Sequence, residues 1–280
     1  LIIREWKLQP PSARAKFKGT LTLRSSSEDG LPDPKPFQKL SPKAQAVLEK
    51  IGNIGSLDLV AARKEFGHSV VASLISRGLL ENQITSEIRD PLRDTYFPPD
   101  SPFTLTEEQG TAINRIQASL EATPTPKVFL LEGVTGSGKT EIYLQALAFS
   151  INQGKRGIFL VPEISLTPQL IQRLSSRFPG RLGVWHSGLT AGQQYDTWWR
   201  ILKGDFDIVL GSRSAIFTPV KDLGIIVIDE EHEWAYKQQD SSPRYHVRSV
   251  AEKLIEIEGA VLILGSATPD VETYYKGLKG

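Results

Sequence analysis

The sequence predicts an α/β fold in which a parallel sheet is covered by helices, with a smaller helical module in front of it. Two observations carry this. Apolar, β-branched runs such as "GIFLVP" and "AVLILGS" alternate with amphipathic helical stretches through the last two thirds of the chain. Runs that are apolar on both faces suit strands buried between helix layers. In addition, the glycine-rich "GVTGSGKT" stands between one such run and a helical stretch, and "IIVIDEE" ends another run in carboxylates.

A chain of 280 residues is long enough for a sizeable core and two domains. Its net charge of +1 provides no global field for nucleic acid, so any such contact must come from local patches. The absence of cysteine excludes disulfides and thiolate zinc sites within this sequence. No apolar run is long enough to span a bilayer, and "LIIREWKLQPP" lacks the apolar core of a signal peptide, so a cytoplasmic setting without membrane contact is expected. There is no methionine, even at position 1, and "YYKGLKG" closes without an evident final element; a piece of a longer protein is expected.

Residues 1–38, rich in Pro, Ser and Lys, read as a short strand ("LIIREWKL") followed by a connector. Residues 39–95 change pattern. "SPKAQAVLEKI" offers Ser41 as N-cap and Pro42 at the first helical position; "SLDLVAARKEF" and "HSVVASLISRG" give two more short helices, the last closed by Gly78. "LLENQITSEIR" alternates like a small hairpin. Three helices and a hairpin are the layout of a winged helix. Its third helix carries few basic residues, so a protein contact or spacer fits this module as well as DNA reading does. "DPLRDTYFPPDSPF" reads as a linker, and residues 96–280 contain the α/β domain, with strands "KVFLLEG", "GIFLVP", "LGVWH", "DIVLGS", "GIIVIDEE" and "AVLILGS".

"GVTGSGKT", Gly133–Thr140, matches the phosphate-binding loop G-x-x-x-x-G-K-[ST], in the required place after a strand and before a helix. Gly133, Thr135, Gly136, Ser137 and Gly138 are expected to curl their backbone around phosphate oxygens, at a helix N-terminus that adds positive potential. Lys139 is expected to reach the β- and γ-phosphates, and the Thr140 hydroxyl to ligate Mg²⁺. The partner carboxylate is Asp229 at a strand end, expected to hold the same Mg²⁺, and Glu230 is expected to orient the attacking water. Lys139, Asp229 and Glu230 are thus the candidate catalytic residues, with ATP and Mg²⁺ as ligands. Upstream, "LTEEQ" supports two readings of Gln109: the N3 member of a capping box with Thr106, or an amide that reads the adenine edge. Phe103 is either a stacking partner for the base or an ordinary core or linker aromatic.

"LTEEQ", "GVTGSGKT", "LVPEISLTPQL", "GSRSAIF", "DEEH" and "GSATP" fall in the order of the motifs of a superfamily 2 helicase's first, RecA-like motor lobe. "HSGL", "GSRSAIFTPVKDLGIIVIDEEHEWAYKQ", "RYHVRSVA" and "LGSATPDVETY" more narrowly resemble the PriA family of bacterial primosomal, replication-restart DNA helicases. The resemblance is strong over about 100–280 and moderate over 40–90. It implies an ATP-driven DNA helicase that translocates 3′ to 5′, acts at stalled forks and helps reload the replicative helicase. Implied partners are forked and single-stranded DNA, single-stranded DNA-binding protein and primosome proteins. It would make residues 1–38 the end of an upstream DNA-binding domain.

The resemblance also implies that Pro162–Gln169 and Gly211–Ala215 face DNA, with Ser212 and Arg213 as phosphate contacts; a surface salt bridge is the other reading of Arg213. His232, with Gly265–Thr268 and therefore Ser266 and Thr268, would relay nucleotide state to the DNA groove; alternatively His232 is a polar neighbour of Asp229 or Glu230. "EWAYKQQDSSPRYHVR" resembles the aromatic-rich loop that links DNA binding to hydrolysis. Trp234, Tyr236 and Tyr245 would stack on bases, and Lys237, Arg244 and Arg248 would attract phosphate. Packing at the core edge is the other reading of Trp234 and Tyr245. Gln194 and Tyr195 depart from the family, standing where an acidic–basic pair is expected. The second motor lobe, its arginine finger and the family's cysteine-bound zinc segment are not in this sequence, so weak ATP–Mg²⁺ binding and poor hydrolysis are expected of the chain alone. The rival readings are another superfamily 2 DNA translocase, or a nucleic-acid-binding scaffold with a vestigial motor. Intact Lys139, Asp229 and Glu230 argue against the scaffold.

Overall fold

A computed structural model describes residues 13–24, 40–92, 95–122, 127–239 and 242–279, which fall into two units divided after Ile88. In the first, the elements run β1 (Lys16–Leu23), α1 (Pro42–Ile54), β2 (Ser56–Asp58), α2 (Leu59–Phe66), α3 (His68–Ser76) and β3 (Leu80–Glu87). Ser41 caps α1 by accepting from the Ala44 amide, with Pro42 opening the helix as expected. The three strands form an antiparallel sheet in the order β2-β1-β3. Leu21 of β1, Val47 and Ile51 of α1, Val71 and Leu74 of α3, and Leu80 of β3 form its buried core.

Two expectations are corrected in this unit. The strand expected at "LIIREWKL" lies outside the described residues. Instead "KFKGTLTL", assigned to the connector, is the central strand: it alternates polar and apolar side chains, so Leu21 enters the core. The hairpin expected over "LLENQITSEIR" is one continuous strand, because no turn residue interrupts it, and its partner is β1 with Leu21 opposite Asn82. The three expected helices are present.

The second unit begins at Arg89. All six expected parallel strands form: β4 (Lys127–Glu132), β5 (Arg156–Leu160), β6 (Leu182–Trp185), β7 (Ile208–Gly211), β8 (Leu223–Ile228) and β11 (Val261–Ser266). Their order across the sheet is β4-β11-β8-β5-β7-β6. The helices are α4 (Glu107–Glu121), α5 (Lys139–Asn152), α6 (Pro168–Arg177), α7 (Ala191–Lys203), α8 (Val247–Glu258) and α9 (Val271–Lys279); β9 (Lys237–Gln238) and β10 (Tyr245–His246) make a small antiparallel pair.

Period-two alternation sends the central strands to two separate cores. Ile225 and Val227 of β8 pack with Ile113 of α4, Leu144 of α5 and Leu174 of α6. Ile226 and Ile228 pack on the other face with Ile201 of α7 and Val247 and Ile255 of α8. Each fully buried Ile or Val contributes about 1.5–3 kcal/mol of transfer free energy, which is why a run apolar on both faces is stable only between two helix layers. All strands being parallel, their C-terminal ends share one edge of the sheet, where ligands bind in open α/β folds.

Candidate nucleotide and nucleic-acid site

Three neighbouring strands, β4, β11 and β8, deliver the glycine-rich loop, "GSAT" and "DEEH" to that edge. The loop turns tightly between β4 and α5: the Ser137 amide donates to the Val134 carbonyl, and Gly136 and Gly138 take φ of 80° and 84°. Only glycine adopts that region without strain. Gly138 also faces Gln109, whose Nε2 would lie 2.5 Å from any Cβ there.

Lys139, the first residue of α5, is 8% exposed, and its Nζ donates to the carbonyls of Gly133 at 2.5 Å and Val134 at 3.3 Å. Both partners are neutral, and among the described residues no carboxylate lies within ion-pair distance of this ammonium. The Asp229 carboxylate attracts it only from beyond ion-pair distance, and a buried charge without a close partner is costly, so the loop is suited to receive an anion.

Gln109 engages both ends of its amide. Its Oε1 accepts from the Thr106 amide at 2.9 Å, and its Nε2 donates to the Ser137 carbonyl of the loop at 2.8 Å. The capping box is therefore present, with a tie to the phosphate loop that the sequence did not disclose. Phe103 is exposed, and the Arg173 guanidinium lies over its ring at 5.7 Å.

Asp229 follows β8 directly. Its Oδ1 accepts from the Tyr143 hydroxyl at 3.0 Å, and its carbonyl accepts from the Tyr236 hydroxyl at 2.6 Å. Burial raises its pKa above the usual carboxylate value; the Tyr143 hydrogen bond opposes this, and the Glu230 charge reinforces it. Burial and the nearby Asp229 charge push the Tyr143 hydroxyl up as well. Glu230 has φ of 48°, a left-handed conformation that non-glycine residues adopt uncommonly.

"GSAT" is wired to both other motifs. The Gly133 amide donates to the Ser266 carbonyl at 3.1 Å, and the Glu231 amide to the Gly265 carbonyl at 2.9 Å. His232 Nδ1 lies 2.7 Å from Ser266 Oγ and 3.7 Å from Glu230 Oε2, and the Thr268 amide donates to the same Ser266 oxygen. Ser266 is fully buried, so it has no surface to offer DNA.

The remaining half of the edge carries the residues expected on the DNA side, and several sit differently than expected. Ser212 is 7% exposed and buried in the loop after β7. Arg213 forms no ion pair among the described residues: its Nη1 donates to the carbonyls of Ala235 and Lys237, clamping the aromatic segment. Tyr236 is 1% exposed and cannot stack on a base in this structure; its ring belongs to the core under α8 and its hydroxyl is spent on Asp229. Tyr245 is half-buried, edge-on to Phe217 at 4.9 Å. Arg248 is 12% exposed and paired with Glu231 at 3.4 Å and Glu272 at 3.2 Å. It pairs with the buried third carboxylate of "DEEH". Trp234 is the exception: it is 67% exposed, with Lys237 Nζ 4.9 Å from its ring centroid; Arg244 is exposed as well.

Sequence reasoning missed Tyr143, Glu231 and Asp196. Glu231 is 2% exposed and accepts from the Asp270 amide at 2.8 Å and the Thr273 hydroxyl at 3.1 Å. Asp196, the residue after Gln194 and Tyr195, supplies the acid that was sought there, and it pairs with Arg89 rather than with a neighbour in α7. The acid one place along the helix was the available signal.

The DEAD/DEAH box helicase family matches residues 106–276. The chain is 47% identical over 212 residues to the replication restart protein PriA of Bacillus subtilis, covering 76% of this chain and 26% of that protein. It is 38% identical over 279 residues to the PriA of Chlamydia pneumoniae, covering 100% of this chain and 33% of that one. Among solved structures, RecG bound to a three-way DNA junction is 24% identical with a TM-score of 0.49, covering 64% of this chain and 24% of that one. The chain therefore spans about a quarter to a third of the length of these curated relatives. The motifs that converge on the sheet edge fall within the matched span, and the chain belongs to the DEAD/DEAH box helicase family.

Proposed function

We propose that this chain is the nucleotide-binding motor lobe of an ATP-driven DNA helicase of replication restart, moving 3′ to 5′ on single-stranded DNA at stalled forks. The observation that carries the nucleotide half is the buried Lys139 ammonium, held only by neutral carbonyls at a helix start. Its amine takes the β- and γ-phosphates, displacing the loop carbonyls, while the backbone of Gly133, Thr135, Gly136, Ser137 and Gly138 lines the phosphates. Thr140 and Asp229 fit Mg²⁺: a hydroxyl and a half-buried carboxylate with no ion-pair partner among the described residues. When bound, Mg²⁺ neutralises charge on the transferring phosphoryl group. Glu230 accepts a proton from the attacking water. Gln109 holds the loop through Ser137, and adenine contact requires it to exchange that bond.

On the DNA side, Trp234 is the base-stacking residue, with Lys237 and Arg244 supplying phosphate attraction. Tyr236, Arg213, Ser266, Thr268 and His232 act in coupling, by holding the aromatic segment and the "GSAT" turn against Asp229 and Glu230. Tyr245 packs on Phe217 at the edge of the core, and Ser212 is buried. Forked DNA, single-stranded DNA-binding protein and primosome proteins are the proposed partners, in the cytoplasm; no helix among the described residues is long and apolar enough to cross a membrane. The first unit is proposed as a winged-helix-like contact module.

ATPase of the full-length protein, measured with and without single-stranded DNA beside Glu230→Gln and Trp234→Ala, tests this. Glu230→Gln is expected to lower turnover about 10²- to 10⁴-fold; an unchanged rate overturns the assignment of the water-activating carboxylate. Trp234→Ala is expected to lower the DNA-stimulated rate far more than the DNA-free rate. Equal losses would make Trp234 a packing residue.

A further inference from the structure

Two buried hydroxyls converge on Asp229 from opposite faces of the sheet. Tyr143 projects from α5 within the core shared by α4, α5 and α6, and Tyr236 lies within the core under α7 and α8. Tyr143 donates to the carboxylate oxygen Oδ1 at 3.0 Å, and Tyr236 donates to the main-chain carbonyl at 2.6 Å. Resting on the reading of Asp229 as a Mg²⁺ ligand, we infer that Tyr143 and Tyr236 are positioning residues that fix, respectively, the side chain and the backbone of that aspartate.

The packing around Tyr143 is built for its oxygen. A Cβ on Gly265 would lie 1.6 Å from the Tyr143 hydroxyl oxygen and 3.3 Å from Asp229 Oδ1, so the glycine of "GSAT" is the opening through which the hydroxyl reaches the aspartate. The ring is set edge-on against Phe159, with centroids 5.6 Å apart, which leaves the hydroxyl little lateral freedom. Lys139 and Tyr143 stand four positions apart on α5 and therefore share a helix face (143 − 139). One face of one helix thus presents the phosphate-binding amine and the hydroxyl that aims the metal-binding carboxylate. A neutral donor on Oδ1 fixes the carboxylate torsion without neutralising its charge, as outer-shell partners of metal ligands do. Tyr236 adds the second restraint from the aromatic segment, two residues beyond Trp234.

Phenylalanine fills the same ring volume, so Tyr143→Phe and Tyr236→Phe remove little but the two oxygens. The experiment measures Mn²⁺ affinity of this chain by electron paramagnetic resonance with saturating non-hydrolysable ATP analogue. It also measures affinity for a fluorescent ADP with metal chelated, and the melting temperature. Tyr143→Phe is expected to weaken Mn²⁺ binding about tenfold and Tyr236→Phe about threefold, with metal-free nucleotide affinity within about twofold of wild type. Unchanged Mn²⁺ affinity in both variants overturns the inference, and so does a parallel loss of metal-free nucleotide affinity, the mark of a packing role. If Tyr143→Phe fails to fold, Tyr236→Phe carries the test on the same aspartate. Asp229→Asn separates the two levels. Loss of Mn²⁺ binding in that variant, with none in the tyrosine variants, sinks only the tyrosine assignment; Mn²⁺ binding that survives it overturns the reading of Asp229 as well.

Discussion

Asp229, Glu230 and Glu231 are adjacent in sequence and meet three different electrostatic fates. Asp229 is half-buried, hydrogen-bonded to Tyr143 and attracted by Lys139 from beyond ion-pair distance, and loss of solvation holds its pKa up. Glu230 is half-buried on a strained backbone beside His232. Glu231 is buried against the Arg248 guanidinium. Acid-to-amide substitution at the two ends of this triplet is therefore expected to change stability in opposite directions. Asp229→Asn keeps an acceptor for the Tyr143 hydroxyl and removes a charge that its surroundings disfavour on balance, so the metal-free protein gains about 1 kcal/mol. Glu231→Gln leaves Arg248 without its buried partner and loses about 3 kcal/mol. Urea unfolding without Mg²⁺ measures both, and changes of the same sign would refute this account of the two environments.

At the scale of elements, the P-loop helix and α6 are tied by one carboxylate. Glu141 of α5, 4% exposed, accepts from Arg177 at 3.0 Å, from Arg173 at 3.2 Å and from the Phe103 amide at 3.2 Å. Burial alone would raise its pKa, but the hydrogen bonds from Arg177 and Gln145 outweigh that, and the carboxyl ends below its ordinary value. A depressed folded pKa contributes stability that is complete above the unfolded value of about 4.5 and fades as pH falls through the folded one. Glu141→Gln is expected to cost about 3 kcal/mol at pH 7, a deficit that shrinks as the solution is acidified below the ordinary carboxylate range. A deficit independent of pH in urea titrations would mean the contact is one of shape rather than charge. The six parallel strands were readable because each is an apolar run with its own boundaries. β1 was not, because its period-two alternation lies between Pro- and Ser-rich flanks that dominate the local composition. The phosphate loop and "DEEH" were readable because their chemistry sits in consecutive residues. Tyr143 with Asp229, and Arg248 with Glu231, were not, since nothing local marks which distant group a side chain will meet. Exposure misled in the same way: Trp234 and Tyr236 share one polar context, yet one is open to solvent and the other lies in the core.

For the whole molecule, the division after Ile88 decides what an independently folding motor lobe must contain. A boundary at residue 96, drawn from the Pro- and Asp-rich composition of the linker, cuts off residues that belong to the second unit. Arg89 forms a bidentate pair with Asp196 of α7, Nε to Oδ2 at 2.6 Å and Nη2 to Oδ1 at 3.0 Å, and its amide donates to the same carboxylate. Asp196 is buried enough to raise its pKa, and the Arg89 hydrogen bonds more than reverse this, so the aspartate stays ionised. Asp90 pairs with Arg200 one turn along α7, and Leu92 packs against the core beneath α4 and α5. A chain starting at 96 would take Arg89 from Asp196 and Asp90 from Arg200, which keeps only its longer contact with Asp205, and would uncover an apolar site. The first unit has a core formed from its own residues, and the second has the two cores on either face of its sheet. Residues 89–280 alone are therefore expected to unfold cooperatively and to bind fluorescent ADP as tightly as the complete chain. Residues 96–280 are expected to be less stable by about 3 kcal/mol, and Asp196→Asn in the longer fragment to reproduce part of that loss. Equal urea midpoints for the two fragments would show that the Arg89 pair is a surface contact of little weight.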